Sequence, residues 1–266
     1  AILAIVGGSG LWSSLSVSDR FTEYKRLVGV ANAVDDMNID FQRLRRGVLV
    51  YTTSGKEADY KAAQELATQT KGKVDAAVKQ VIVPERAAIM REISETFASY
   101  IKQFEEVAAL QRDMSKLRHE TLDVFGPKMA SELQEIATQA AAAGNSNAAV
   151  HAQTALHSVM EVRLFAMRAL DEHDEAMVAK SNEAFARLGK SMTALEAASA
   201  GTPLQAIAKT VTAEDEKYHA AFEKAWEEAV KIDTLVNKSM KAAADKIAAD
   251  VDKLRHLYPY LPHFND

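Results

Sequence analysis

The sequence predicts an all-α protein built from about six long helices. Only 11 glycines and 5 prolines interrupt its 266 residues, and good helix formers fill the stretches between them. Apolar residues recur at alternating steps of three and four, which is the spacing of a helix-packing face. No stretch of useful length alternates apolar and polar residues as a strand would. Helices this long predict an elongated shape.

Glycine and proline divide the chain into six predicted helices. The first begins near Ser13 to Ser18 and carries the clearest apolar face. This face consists of Leu27, Val30, Val34, Met37, Phe41, Leu44, Val48 and Tyr51. The predicted helical ranges are 13–52, 56–83, 84–124, 128–143, 148–198 and 204–257. Segment 258–266 is interrupted by proline and is predicted to be non-helical.

The first twelve residues, AILAIVGGSGLW, carry no charge. About 20 apolar residues are needed to cross a bilayer, so this segment is too short to do so alone. We interpret it as the end of a transmembrane helix, with a buried or frayed N-terminal segment as the alternative. The predicted division is therefore 1–12, 13–257 as the main domain, and 258–266 as a tail.

Composition and motifs point away from catalysis. The formal net charge of -5 argues against nucleic acid as the main partner. The absence of cysteine excludes thiol catalysis and cysteine-ligated metals. Glu216 and His219 form a single E-x-x-H motif, whereas di-iron proteins need two such motifs, so we interpret this one as solvated helix surface. The charged residues 172–174 are interpreted as solvated surface as well. No catalytic residue, metal or cofactor is predicted.

The first helix carries an arginine cluster. Arg43 and Arg46 are three residues apart and therefore neighbours on the helix surface. At 100° per residue they lie away from the apolar face, on a side that also carries Ile39 and Val50. They could meet a ligand, a second subunit or water.

Arg163 is predicted to lie inside an apolar face formed by Leu156, Met160, Met167 and Leu170. A buried charge costs several kcal/mol unless it is paired. Its partner could be a carboxylate of the protein or the carboxylate of a bound ligand, which a planar guanidinium binds in bidentate fashion.

The last helix carries an aromatic stripe at three-four spacing, formed by Tyr218, Phe222 and Trp226. Such stripes are typical of a hydrophobic core, although they can also line a site. Asn237 and Lys241 follow further along and could add hydrogen-bond donors.

Taken together, the apolar N-terminus, the long first and last helices and the Arg43-x-x-Arg46 pair resemble the helical bimodular sensor domain of bacterial methyl-accepting chemotaxis receptors. The resemblance covers about residues 13–257. It implies an antiparallel helical bundle of two stacked four-helix modules that bind citric acid cycle dicarboxylates, and acetate, between helices. It also implies that Arg43 and Arg46 belong to the dicarboxylate site. Where the family draws a cation and a hydroxyl from the last helix, this chain offers Asn237 and Lys241.

This resemblance implies a sensor domain in the periplasm, attached to the bacterial inner membrane by flanking transmembrane helices, acting as a homodimer and not as an enzyme. The predicted ligand-binding residues are Arg43, Arg46, Arg163, Tyr218, Asn237 and Lys241. Three alternatives stay open. They are a histidine-kinase sensor for an amine or amino acid, a membrane-active helical protein such as a pore-forming toxin, and a ferritin-like metalloenzyme.

Overall fold

A computed structural model describes the backbone of residues 2–257 and the side chains of Thr22 and residues 24–257. This part of the chain contains helices and turns but no strand, which confirms the predicted all-α class. The elements are α1 (Ile2–Ser54), α2 (Glu57–Gln80), α3 (Pro84–Leu117), π1 (Arg118–Leu122), α4 (Asp123–Ala142), α5 (Ser146–Glu172), α6 (Glu175–Ala198), α7 (Leu204–Thr234), π2 (Leu235–Met240) and α8 (Lys241–His256). Because π1 and π2 continue into their neighbours, the described residues form six continuous helices, which is the predicted number.

The helix break predicted at Gly126-Pro127 is wrong, because α4 runs through Pro127. Gly126 is buried, and it serves close packing instead of a turn. A Cβ atom at this position would lie only 3.0 Å from Cδ of Arg163 on α5. Packing against α5 therefore explains the glycine, and tertiary context overrides the low helix propensity of both residues.

The helix predicted over 148–198 is in fact two helices, α5 and α6. His173 ends α5 in a left-handed conformation with φ of 53°. Asp174 then caps α6, since its side chain accepts a hydrogen bond from the backbone N–H of Ala176 at 2.8 Å. Glu172 therefore ends a helix, and residues 173–174 form a turn instead of a continuous helical surface.

Helix α1 begins at Ile2, so the start predicted near Ser13 to Ser18 is wrong. Glycines lower helix propensity by about 1 kcal/mol each, and the helical residues on both sides of Gly7, Gly8 and Gly10 outweigh this cost. The prediction that 1–12 ends a transmembrane helix falls on side chains outside the described residues, and the tail 258–266 also lies outside them. None of the described helices is long and apolar enough to span a membrane.

The chain divides into two compact units, of which unit 1 comprises Ala1–Glu106 and Val236–Asp266. The apolar face predicted on the first helix forms part of its core. Buried positions of this face are Val30, Val34, Met37, Phe41, Leu44, Val48 and Tyr51, while Leu27 is half-buried. The amphipathic pattern of α1 therefore predicted which side of the helix packs inward.

Aromatic rings link α1, α2 and α3 in the core of unit 1. The ring of Phe41 lies 5.2 Å from that of Tyr100 in an edge-to-face arrangement. Phe104 packs between Tyr51 at 6.0 Å and Tyr60 at 5.6 Å. The Tyr60 hydroxyl donates a hydrogen bond to Glu105 at 2.8 Å, so this ring is held at both its apolar and its polar end.

Unit 2, residues Val107–Leu235, contains a core between α4, α5, α6 and α7. Helix α5 faces this core with small side chains, which form an alanine seam. The seam consists of Ala148, Ala152, Ala155, Ala166 and Ala169, together with Val159 and Val162. Larger rings come from the neighbouring helices, where Phe185 lies 6.1 Å from both Tyr218 and Phe222. Tyr218 and Phe222 are buried, as expected for an aromatic core stripe.

Buried residues recur in a seven-residue repeat along each helix, and at each π segment this repeat is shifted by one extra residue. On α7 the repeat places core residues at Phe222, Ala225, Ala229 and Ile232, and it predicts the next ones at 236 and 239. The buried residue is instead Met240, and burial then continues at Ala244, Ile247, Val251 and Leu254. Near π1 the repeat from Phe104 and Val107 predicts position 121, whereas the buried residue is Leu122. The wider turns of π1 and π2 absorb the extra residues.

Candidate functional site

A pocket of about 180 Å³ lies in unit 1 between α1, α3, π2 and α8. Its lining combines apolar side chains with a few polar ones. The lining residues are Arg45, Val48 and Leu49 of α1, Tyr100 of α3, Val236, Asn237 and Met240 of π2, and Lys241 of α8. Apolar walls with a few convergent polar groups are typical of small-molecule sites.

The polar groups of this pocket favour an anion. Arg45 and Lys241 supply two positive charges, and no carboxylate is among the lining residues. The Arg45 guanidinium donates one hydrogen bond to Oε1 of Gln42 at 3.1 Å, and its other N–H groups are available to a ligand. Lys241 pairs with the exposed Asp245 at 3.1 Å, a solvated contact of the kind that stabilises little.

Tyr100 adds a protonated hydroxyl to the pocket. Its side chain is buried, and burial raises the pKa of the hydroxyl to about 12, although the positive charge of Arg45 acts in the opposite direction. The hydroxyl therefore keeps its proton at physiological pH and can donate a hydrogen bond.

Helical geometry explains why Arg45, and not Arg43 or Arg46, lines the pocket. Arg45 precedes Val48 by three residues and Leu49 by four, so all three lie on one side of α1. Arg46 is rotated by about 100° from Arg45, away from the core. It is exposed, as is Arg43.

Arg43 has a partner within the protein. Its guanidinium contacts the carboxylate of Asp40 at 3.1 Å, and Lys73 of α2 contacts the same carboxylate at 2.6 Å. Asp40 is almost fully buried, so the two cations offset the cost of burying its charge. The structure thus places Arg43 in an ion-pair cluster beside α2, outside the pocket.

Of the six residues predicted to bind ligand, the structure brings together Asn237 and Lys241. Sequence reasoning missed two of their neighbours, Arg45 and Tyr100. A signal for Arg45 was present in the sequence, because it shares a helix side with Val48. The sequence also contained a signal for π2, because the seven-residue repeat of apolar positions shifts by one residue before Met240.

Arg163 and Tyr218, two further predicted residues, lie in unit 2 and do not line the pocket. Burial raises the pKa of Tyr218 to about 12, Arg163 acts to lower it, and Asp123 acts to raise it. Arg163 lies directly over Gly126, whose missing Cβ makes room for the arginine stem. In each unit the charge of an arginine therefore acts to lower the pKa of a buried tyrosine.

The surroundings of Arg163 differ from those predicted. Met160 is about half exposed, at 52%, because the buried face of α5 is centred on the alanine seam. Of the predicted face, Leu170 is buried and Leu156 and Met167 are half-buried. Arg163 lies beside that seam and is half-buried. Among the described residues it forms no ion pair, and its guanidinium contacts Sδ of Met160 at 3.8 Å. A carboxylate of the protein is therefore not its partner there.

Unit 2 also buries carboxylates between α4 and α7. Glu214 is 4% exposed and accepts a hydrogen bond from Lys128, which also contacts Glu132 at 3.6 Å. Burial and the neighbouring Glu214 raise the pKa of Glu132, although Lys128 opposes them. His219 stacks on Phe185 with ring centroids 4.0 Å apart. Across the described residues, no group of acidic and histidine side chains could hold a metal ion.

Asp215 is a buried acid that we expect to make the stability of unit 2 dependent on pH. Its Oδ1 is buried and has no hydrogen-bond partner in the described part of the chain, and burial together with the nearby charge of Glu216 raises its pKa to about 7. An unfolded aspartate titrates near about 4. Between these pH values the folded chain holds a proton that the unfolded chain has lost, so the free energy of unfolding should fall as pH rises through this window.

Asp215→Asn should remove this pH dependence. Above pH 7 the variant should be more stable than wild type by on the order of 2 kcal/mol, because no charge needs to be buried. Urea unfolding measured across the window checks this. Glu183→Gln is the control, since that side chain is 73% exposed in the same unit. Identical pH profiles for wild type and Asp215→Asn would contradict the assignment.

The sequence matches neither a protein-family model nor a curated protein.

Proposed function

We propose that this chain is a sensor domain that binds a small organic acid in the pocket of unit 1. The observation that carries the proposal is that Arg45, Lys241 and Asn237 face one pocket whose lining includes no carboxylate. A carboxylate ligand would supply the missing negative charge. Charge-assisted hydrogen bonds from arginine to carboxylate are among the stronger polar contacts in proteins.

The size of the pocket supports a ligand with few heavy atoms. Sites for drug-sized molecules span about 300–1,000 Å³, whereas this pocket has about 180 Å³. Short dicarboxylates and acetate fit this scale. Val48, Leu49 and Met240 would cover the methylene carbons of such a ligand, while the polar groups hold its carboxylates.

The wider setting of the proposal rests on the resemblance to chemotaxis-receptor sensor domains. It includes two stacked four-helix modules, a periplasmic location at the bacterial inner membrane, membrane attachment through residues 1–12 and a homodimer that transmits a small helix shift. Small-angle scattering and sedimentation velocity measure shape and oligomeric state.

Isothermal titration calorimetry with the purified chain tests the ligand class. We expect saturable binding of succinate, malate, citrate or acetate, and none of a primary amine of similar size, because Arg45 and Lys241 repel a cation. Binding of the amine alone, or of no acid at all, would overturn the proposal. Arg163→Ala shows whether any of the bound acid occupies unit 2.

A further inference from the structure

Tyr100 lines the pocket with a hydroxyl that has no hydrogen-bond partner within the part of the chain that the structure describes. The residue is 3% exposed, and its ring packs edge-to-face against Phe41. Buried hydroxyl groups in proteins are nearly always hydrogen-bonded, because an unmade bond leaves the cost of removing the group from water without compensation. The Tyr100 hydroxyl is therefore a donor for a molecule that fills the pocket.

Tyr60, another buried tyrosine of unit 1, differs in this respect. Its hydroxyl donates a hydrogen bond to Glu105 at 2.8 Å and accepts one from Gln64 at 3.1 Å. Tyr60 does not line the pocket. A position in this core is therefore compatible with a fully paired hydroxyl, and of these two tyrosines it is the one at the pocket that lacks a partner.

The charges of the pocket indicate which ligand atom meets the Tyr100 hydroxyl. Arg45 and Lys241 are cations, and each can hold a carboxylate. Arg45 lies close enough to Tyr100 for its charge to act on the hydroxyl. A carboxylate bound to Arg45 would therefore bring the next carbon of the ligand towards Tyr100, where an oxygen on that carbon could accept the hydrogen bond.

We propose that Tyr100 determines which acid this pocket prefers, and that the preferred ligand carries a hydroxyl or keto oxygen on the carbon next to a carboxylate. This inference rests on the proposed function and narrows its ligand class to short 2-hydroxy and 2-oxo acids. A site that hydrogen-bonds an oxygen of its ligand discriminates against the analogue without it, because the buried group of the site is then left unpaired. Malate and succinate differ by one such hydroxyl and are the probes.

Titration calorimetry with malate and succinate tests the inference. The wild-type chain should bind malate about tenfold more tightly than succinate, the effect of one hydrogen bond to a buried donor. In Tyr100→Phe the affinity for malate should fall to within about twofold of that for succinate, while the affinity for succinate stays within about twofold of wild type. The substitution keeps the ring that packs against Phe41, and circular dichroism checks that the variant is folded.

Tyr60→Phe is the matched control. It removes the hydroxyl of another buried tyrosine in the same unit, away from the pocket, and should keep the tenfold preference for malate. If Tyr100→Phe lowered the affinity for both acids by the same factor, its hydroxyl would have a structural role only, and the inference would be overturned.

The wild-type chain alone also decides the matter. Equal binding of malate and succinate, or tighter binding of succinate, would overturn this inference and leave the proposed function intact. Binding of acetate or citrate without malate would have the same meaning. Binding of no acid at all would overturn both proposals.

Discussion

Arg45→Ala should weaken the binding of succinate by about tenfold to hundredfold. A hydrogen bond to a charged group contributes about 1.5–3 kcal/mol, and each 1.4 kcal/mol corresponds to about tenfold in affinity. Arg45 is the cation of α1 that lines the pocket, beside the Tyr100 hydroxyl. Titration calorimetry on the wild-type and variant chains measures the loss.

Arg46→Ala is the matched control for this experiment. It removes the same side chain from the next residue of the same helix, but Arg46 is exposed and lies outside the pocket. Its affinity for succinate should stay within about twofold of wild type. A larger loss in Arg46→Ala than in Arg45→Ala would contradict the placement of the ligand and would favour the Arg43–Arg46 pair implied by the resemblance.

Phe104→Ala should destabilise unit 1 by about 3–5 kcal/mol. The side chain is fully buried, and its ring touches Tyr51 of α1 and Tyr60 of α2. Removing it deletes apolar contacts and leaves a cavity that these helices can fill only in part. Urea unfolding followed by circular dichroism measures the change in the free energy of unfolding.

Ile39→Ala provides the comparison, since Ile39 is 50% exposed on the outer face of α1. A surface substitution of this kind usually changes stability by less than about 0.5 kcal/mol. If Phe104→Ala were no more destabilising than Ile39→Ala, the aromatic contact between α1, α2 and α3 would not be the core of unit 1.

The fold class was predictable because long amphipathic helices leave a strong periodic signal. The buried residues of α1 follow the predicted face from Val30 to Tyr51. Helix ends were harder to predict where the decisive residue was atypical. His173 adopts a left-handed conformation that is most common for glycine, and Pro127 lies inside a helix held by tertiary packing.

The candidate site was only partly predictable. Asn237 and Lys241 were identified in the sequence, and both line the pocket. The spacing of Arg43 and Arg46 showed that they are neighbours, but spacing alone cannot say which side of a helix meets its partners. Tyr100 joins the pocket from α3, more than 50 residues away along the chain, and no local pattern reports such a contact.

The alanine seam of α5 limits how this chain can diverge. Alanine fills five of these positions and valine the other two, so a larger side chain would force neighbouring helices apart, and overpacking of this kind costs about 1–3 kcal/mol. The outward side of the same helix has no such limit, since Val150 and Leu164 are more than half exposed. In related sequences, residues on the outward side of α5 should therefore vary freely, whereas residues on the inward side should keep small side chains. The sequence identity between such chains should fall mainly at outward positions, while the interior of unit 2 keeps its dimensions.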